Sequence, residues 1–112
     1  MLIALAAWHY DVNVILTTDI EKSRQKINEK IDDIGISETT NGMCVSRRDL
    51  SVSWLLLGFD ATAEVVAHEC WHAIWELSQW AGAELENETV AYHLGYLVQR
   101  TTDFLKRERS RR

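Results

Sequence analysis

The sequence contains no proline and only two cysteines, and each shortage excludes a class of protein. Because no stretch is rich in proline, or in glycine and serine, nothing marks a linker, and 112 residues can bury one modest core but not two. Two cysteines, Cys44 and Cys70, are too few for the framework of a disulfide-stabilised secreted domain, which favours a reducing compartment. We therefore predict a single domain covering residues 1–112 and a cytoplasmic location.

Long hydrophobic runs and an excess of positive charge are also missing. The apolar run at the start ends at Trp8, has no Lys or Arg before it and is far too short to span a bilayer. The formal net charge of -5 argues against a general affinity for nucleic acid or for an anionic membrane. The one basic cluster, at residues 106–112, is predicted to be a solvated helix end, with nucleic-acid binding as the alternative.

Hydrophobic periodicity predicts an α+β fold, with a small antiparallel sheet of about three strands and three helices. The predicted strands cover residues 10–16, 43–45 and 51–57. The predicted helices cover residues 18–34, 61–81 and 88–106. Thr18 and Asp60 are the expected N-terminal caps of the first two helices, Gly35 is the expected end of the first, and residues 37–41 read as a polar turn.

Residues 68–72 read His-Glu-Cys-Trp-His, which is the His-Glu-x-x-His pattern, and they fall inside a predicted helix. At about 100° per residue, His68 and His72 lie about 40° and one turn apart, so both imidazoles can bind one tetrahedral ion. Glu69 projects beside them, near enough to hydrogen-bond a metal-bound water. Cys70 points away and is predicted to be a core residue. The pattern predicts a zinc (Zn2+) site with His68 and His72 as ligands and Glu69 as catalytic base.

A catalytic zinc ion needs a third protein ligand, with the fourth position left for water. Glu88 is the preferred candidate because it opens the next predicted helix, where the Asn87 cap fixes the backbone and the helix dipole favours the charge. The alternative for Glu88 is a surface acid that only complements the dipole. Glu84 and Glu86 are further candidates in the turn, and His93 is a poorer one because it is rotated about 140° from Glu88.

Several side chains near the motif have two interpretations each. Tyr92, one turn beyond Glu88, is a catalytic candidate that could orient a ligand or hold a developing oxyanion, with a half-buried packing role as the alternative. Glu76, one turn after His72, is predicted to be exposed, with support of a ligand histidine as the alternative. Three tryptophans at near-helical spacing are predicted to be core residues or a hydrophobic wall beside the metal: Trp71, Trp75 and Trp80.

The two motifs His68-Glu69-x-x-His72 and Asn87-Glu88-x-x-Ala91-Tyr92 together resemble the gluzincins, in which a glutamate on the following helix is the third zinc ligand. The short length, the Tyr-Asp-Val-x-Val strand and the segment from Glu88 to residue 98 are similar to small zinc metallopeptidases encoded by bacteriophages and prophages. The likeness covers most of the chain from about residue 10 onward. Fifteen residues separate His72 from Glu88, fewer than in typical gluzincins, so the turn must be tight.

The resemblance implies a minimal zincin, a zinc-dependent peptidase with a peptide or protein substrate that acts in the cytoplasm of a bacterial host. It also implies that the strand at residues 51–57 is an edge strand able to pair with an extended peptide. The principal alternative is a non-catalytic module that zinc stabilises and that engages a host protein. A homo-oligomer also remains open.

Overall fold

The computed structural model describes residues 1–5, 9–28, 35–39, 41–81 and 87–111, with side chains described except at positions 28, 35–39, 48, 87 and 88. These residues form strands and helices in an α+β fold, as the sequence predicts. The elements in chain order are β1 (Leu2–Leu5), β2 (Tyr10–Leu16), α1 (Ile20–Asn28), β3 (Gly35–Thr39), β4 (Gly42–Arg47), a 3-10 turn (Arg48–Leu50), β5 (Val52–Leu57), α2 (Ala63–Ala81) and α3 (Asn87–Ser110).

The five strands form one mixed sheet in the order β1-β2-β5-β4-β3. β2 and β5 are parallel and the other neighbouring strands are antiparallel. The prediction of an antiparallel sheet of about three strands was therefore wrong in the number of strands and in the direction of one pair. The two additional strands are short and lie at the edges. β1 comes from the apolar N-terminal run, and β3 includes part of the segment predicted as a turn at residues 37–41. Pairing with a neighbour makes strands of segments whose own pattern is weak.

β5 occupies the centre of the sheet, where β2 pairs with one side and β4 with the other. The expectation that residues 51–57 form an edge strand for peptide binding is therefore wrong. The sequence of β5 fits its place, because a strand covered on both faces reads as a nearly continuous apolar run. Leu55, Leu56 and Leu57 are all fully buried.

Helices cover both faces of this sheet. α2 and α3 pack on one face over the larger core, which includes Val12, Leu55 and Ile74. α1 packs on the other face, where Ile27 contacts a smaller core around Leu56. Gly35 is the first residue of β3, and α1 is described only as far as Asn28, so its predicted continuation to residue 34 lies outside the described residues.

The N-terminal cap of the first helix lies one residue later than predicted. The backbone N–H of Lys22 donates to Asp19 Oδ1 at 3.0 Å, which makes Asp19 rather than Thr18 the cap of α1. The shift follows from Thr17, whose Oγ1 accepts the backbone N–H of Asp19 at 3.0 Å and so fixes the turn before the helix.

The start of α2 is also held by other groups than the one predicted. Thr62 Oγ1 accepts the backbone N–H of Val65 at 3.3 Å and caps the helix. Asp60 instead accepts a hydrogen bond of 2.8 Å from Asn41 Nδ2, which ties the loop to the start of β4. Arg109, near the end of α3, donates to the backbone carbonyls of Phe59 and Ala61. The last turn of α3 therefore holds the loop that leads into α2.

A chain of hydroxyl groups runs through the larger core. The Tyr10 hydroxyl and Ser53 Oγ are 2.7 Å apart, and Ser53 Oγ is 2.7 Å from Ser46 Oγ. Burial raises the pKa of Tyr10 to about 12, because the phenolate would lose its hydration. The Tyr10 ring packs against Trp80 with 5.8 Å between centroids. This polar group is thus buried with its partners in place.

Candidate metal centre

The residues of the His-Glu-x-x-His motif lie on two different faces of α2, one buried and one exposed. The buried face consists of Val66, Glu69, Cys70, Ala73, Ile74, Leu77 and Ser78. The His68 side chain is 47% exposed and His72 is half-buried, so the imidazoles lie near the surface while Glu69 between them points inward. Cys70 is fully buried with Sγ 3.9 Å from Thr101 Oγ1, which confirms that it is a core residue.

The two imidazoles converge at their Nε2 atoms, which are 3.2 Å apart. Two nitrogens that share one tetrahedral zinc ion, each about 2.0–2.1 Å from it, are about 3.3 Å apart. The same separation suits a hydrogen bond between a protonated Nε2 and the lone pair of the other. The 3.2 Å spacing is therefore compatible both with a shared zinc ion and with a hydrogen bond between the two rings.

Glu69 is the feature of the site that packing alone does not explain. Its side chain is 0% exposed, and neither carboxylate oxygen has a hydrogen-bond partner in the described part of the chain. Burial raises the pKa of this carboxyl to about 7. Oε1 lies 3.7 Å from His68 Nε2, too far for a hydrogen bond but beside the point where the imidazoles converge. A water held at that point would give the carboxylate a partner.

Glu76 is half-buried rather than exposed, so the preferred prediction for it is wrong. Burial lowers the pKa of His72 and the neighbouring His68 lowers it further, while the Glu76 charge opposes both effects. The same carboxylate also acts on Tyr10, on the sheet. Glu76 is therefore close enough to influence the charge of both His72 and Tyr10.

The predicted third ligand lies in a part of the chain where the side chains are not described. Glu88 is the second residue of α3, so its predicted position at a helix start is confirmed for the backbone, but its side chain lies outside the described residues. The alternatives Glu84 and Glu86 lie there too. His93 Nδ1 is 2.8 Å from the carbonyl of Thr89 on its own helix. Within the described residues, no three His, Cys, Asp or Glu side chains are grouped to hold a metal ion.

No protein-family model matches this chain, and comparisons with curated proteins and with solved structures find no significant similarity. None of the helices in the described ranges is long and apolar enough to cross a bilayer. The function must therefore be inferred from the chemistry of the site.

Tyr92 lies on the outer side of α3. Its side chain is 78% exposed, and its ring meets that of His93 edge-on, with 6.1 Å between centroids. It is therefore not the half-buried packing residue that the alternative interpretation requires. Its catalytic role remains a prediction.

Two of the three tryptophans near the motif are not core residues. Trp71 is 42% exposed and Trp75 is 48% exposed, whereas Trp80 is half-buried against Tyr10. Hydrophobicity alone could not distinguish them, but helical spacing could, since Trp71 and Trp75 lie about 100° around the helix from the buried Cys70 and Ile74. The interpretation of these two residues as a hydrophobic wall beside the histidine pair is the one that fits their exposure.

Proposed function

We propose that this protein is a zinc-dependent hydrolase of the metallopeptidase type, with His68 and His72 as metal ligands and Glu69 as general base. The observation that carries the proposal is the combination of two Nε2 atoms 3.2 Å apart with a fully buried carboxylate beside them that has no hydrogen-bond partner in the described residues. A buried carboxylate without partners is costly, so a fold that retains one next to a metal-ligand pair has a use for it.

The residues divide the chemistry in a simple way. His68 and His72 hold the metal through Nε2, and Glu88 is the proposed third ligand. Zinc, when bound, supplies a Lewis acid that lowers the pKa of water to about 7 and polarises a carbonyl. Glu69 accepts the proton of the attacking water at its carboxylate and returns it to the leaving amine. Tyr92 is the proposed donor to the developing negative charge.

The proposed substrate is a peptide or protein segment in extended conformation. β5 is paired on both sides, so a peptide that adds to the sheet must use an outer strand. β3 is the outer strand on the side of β4, and α2 packs across both strands. An extended peptide along β3 would therefore run beside the helix that carries the histidines.

A zinc-stabilised binding module is the second candidate function. It is favoured by the exposure of His68, Trp71 and Trp75 on one helix face, which suits docking of a partner. The lack of a hydrogen-bond partner for Glu69 among the described residues favours the enzyme, because a purely structural site gains nothing from such a carboxylate.

The decisive experiment separates metal binding from turnover. Protein purified without added metal should contain one equivalent of zinc by anomalous X-ray scattering at the zinc edge, and His68→Ala should contain none. Wild-type protein should release fluorescent fragments from a mixed-sequence peptide library, while Glu69→Gln should keep its zinc and lose turnover. A wild-type protein that binds zinc but leaves every peptide intact would favour the binding module. A metal-free protein that refuses excess zinc would overturn both functions.

A further inference from the structure

A cleft of about 870 Å3 lies at the carboxyl ends of β2 and β5. Its walls are formed by residues 17–20, which follow β2, and by residues 58–60, which follow β5, together with Asn41 and Arg109. The two strands are parallel neighbours, and the Thr17 N–H donates to the Leu57 carbonyl at 2.9 Å, so both loops leave the sheet at the same edge. The described residues that line the cleft include none from the His-Glu-x-x-His motif.

The chain leaves this edge of the sheet in opposite directions. After β2 the helix α1 packs on one face of the sheet, and after β5 the helix α2 packs on the other. Because the two loops separate there, they leave a crevice between them, and such a crevice is where open sheets with parallel strands bind ligands. Small-molecule sites are typically about 300–1,000 Å3 in volume. Both the position and the size of the cleft therefore suit a small ligand.

One wall of the cleft is built around Gly58. Its backbone N–H donates to the Asn41 carbonyl at 3.0 Å, and Asn41 Nδ2 donates to Asp60 Oδ1 at 2.8 Å. A Cβ atom at position 58 would lie only 2.7 Å from Asn41 Oδ1 and 3.3 Å from Asp60 Oδ1. Because glycine has no side chain, the amide and the carboxylate can lie directly against the backbone. The Asp60 carboxylate is thereby held in one position at the edge of the sheet.

A second carboxylate and a guanidinium complete the polar lining. Asp19 Oδ1 accepts the backbone N–H of Lys22 at 3.0 Å, which fixes this side chain at the start of α1. Arg109 donates to two backbone carbonyls of the loop after β5, so its position is fixed too. Asp19 and Asp60 both use Oδ1 for their bond to the protein, and a carboxylate can accept further hydrogen bonds through its second oxygen. The cleft therefore presents two fixed acceptors to a ligand.

We propose that this cleft binds a neutral ligand that carries a vicinal diol, which is a pair of hydroxyl groups on adjacent carbons. Sugars and the ribose of nucleosides both have this group. Two adjacent hydroxyls can donate to the two oxygens of one carboxylate, and hydrogen bonds to a charged group are stronger than those between neutral groups. The inference goes beyond the hydrolase function and does not depend on a metal ion.

The charges of the lining argue against other ligands. Two carboxylates, Asp19 and Asp60, outnumber the one guanidinium of Arg109, so a phosphate or another anion is repelled. A divalent cation is bound by several carboxylates or carbonyls, and the described residues contain no group of three His, Cys, Asp or Glu side chains that could hold a metal ion. An apolar ligand would cover both carboxylates without giving them a hydrogen bond. A neutral hydroxylated ligand avoids all three penalties.

The test titrates the full-length wild-type protein with adenosine and with methyl glucoside, while NMR records the backbone amide shifts. The controls are dideoxyadenosine and cyclohexanol, which lack the diol. We expect a Kd on the order of 1 mM for at least one of the two diols, with shifts at residues 17–20 and 58–60, and binding of its control about 10-fold weaker. Binding of adenosine alone identifies a nucleoside, and binding of the glucoside alone identifies a free sugar.

Three results would overturn the proposal. The first is that neither diol binds, and the second is that a control binds as tightly as its diol. The third is that magnesium or inorganic phosphate shifts the amides of residues 17–20 and 58–60 while neither diol does.

Matched variants locate the ligand in the cleft. Asp60→Asn keeps an oxygen for the Asn41 amide but removes the charge, so it should weaken binding of the diol about 10-fold. Gly58→Ala should weaken it as well, because the added Cβ displaces the Asn41 side chain. Asp11→Asn removes an exposed carboxylate at the opposite end of β2 and should change nothing. Equal affinity in the Asp60→Asn and Asp11→Asn proteins would overturn the proposal, whether or not Gly58→Ala folds.

Discussion

Two buried polar groups lie beneath α2, and their surroundings differ. The Tyr10 hydroxyl has Ser53 as partner at 2.7 Å, and Ser53 in turn has Ser46. Glu69 is equally buried, but neither of its oxygens has a partner in the described residues. A satisfied buried group stabilises the fold by about 1 kcal/mol, whereas an unsatisfied one costs about 1–3 kcal/mol. The proposed function accounts for this difference, because it gives the unsatisfied carboxylate a catalytic role.

The largest expected effect comes from removing a proposed metal ligand, because Glu69 would then have no cation beside it. His72→Ala should weaken zinc binding by more than the roughly 10–100-fold that loss of an outer partner costs, because a direct ligand is lost. Competition with a chromophoric chelator measures the affinity. Gln79→Ala, at an exposed position of the same helix, is the control and should bind zinc like the wild type. Equal zinc affinity in His72→Ala and wild-type protein would contradict the ligand assignment.

Glu69→Gln tests the unsatisfied member of the comparison directly. The metal-free variant should be more stable to urea than metal-free wild type by about 1–3 kcal/mol at pH 8, because a buried carboxylate without partners is replaced by a neutral amide. The free energy of unfolding is obtained from urea titrations followed by circular dichroism. Glu64→Gln, at an exposed position, should stay within about 0.5 kcal/mol of wild type. A Glu69→Gln protein that is less stable than wild type would mean that the carboxylate has partners after all.

Tyr10→Phe tests the satisfied member and should have the opposite sign. Loss of the hydroxyl leaves the buried Ser53 Oγ with one partner fewer, so the free energy of unfolding should fall by about 1–2 kcal/mol at pH 8. Zinc affinity should not change, since the hydroxyl chain does not touch the histidine pair. A loss of zinc binding in a folded Tyr10→Phe protein would mean that the Tyr10 hydroxyl and the histidine site belong to one network, which would contradict the prediction.

The smallest effect concerns pH. The pKa of Tyr10 is raised to about 12 in the folded protein, so the folded state holds the phenolic proton more tightly than the unfolded chain does. The resulting stability is fully present below pH 10 and is lost as pH rises towards 12. At pH 11, wild-type protein should have lost about 1 kcal/mol more than Tyr10→Phe, relative to each protein at pH 8. Urea titrations of both proteins at the two pH values measure this difference. An equal loss of stability in the two proteins would contradict the prediction.

The local sequence pattern was enough to predict the features that depend only on residue spacing within one helix or strand. The convergence of His68 and His72 follows from an interval of four residues on a helix, and α2 and α3 lie close to their predicted bounds. The α+β class followed from the same reasoning. These features need no knowledge of which elements meet in space.

Long-range pairing accounts for what could not be predicted. The central position of β5 depends on parallel pairing with β2, which leaves no mark in either segment apart from an apolar run. The depth of Glu69 and the exposure of Trp71 depend on how far α2 is rotated over the sheet, and residue type did not reveal this rotation. The sequence did not predict β3, because its five residues form a strand only by pairing with β4.

The parallel pairing of β2 and β5 also determines when the site can form. Asp11 pairs with Val52 across the length of chain that contains α1, β3 and β4, so the middle of the sheet closes only after a large loop has been brought together. Such non-local contacts slow folding because the entropy of loop closure is lost before the contacts are gained. The helix with both histidines follows β5 directly along the chain. During synthesis and refolding, the histidine pair should therefore reach its final environment late, after the sheet is assembled, and a metal ion supplied early would meet an unfinished site.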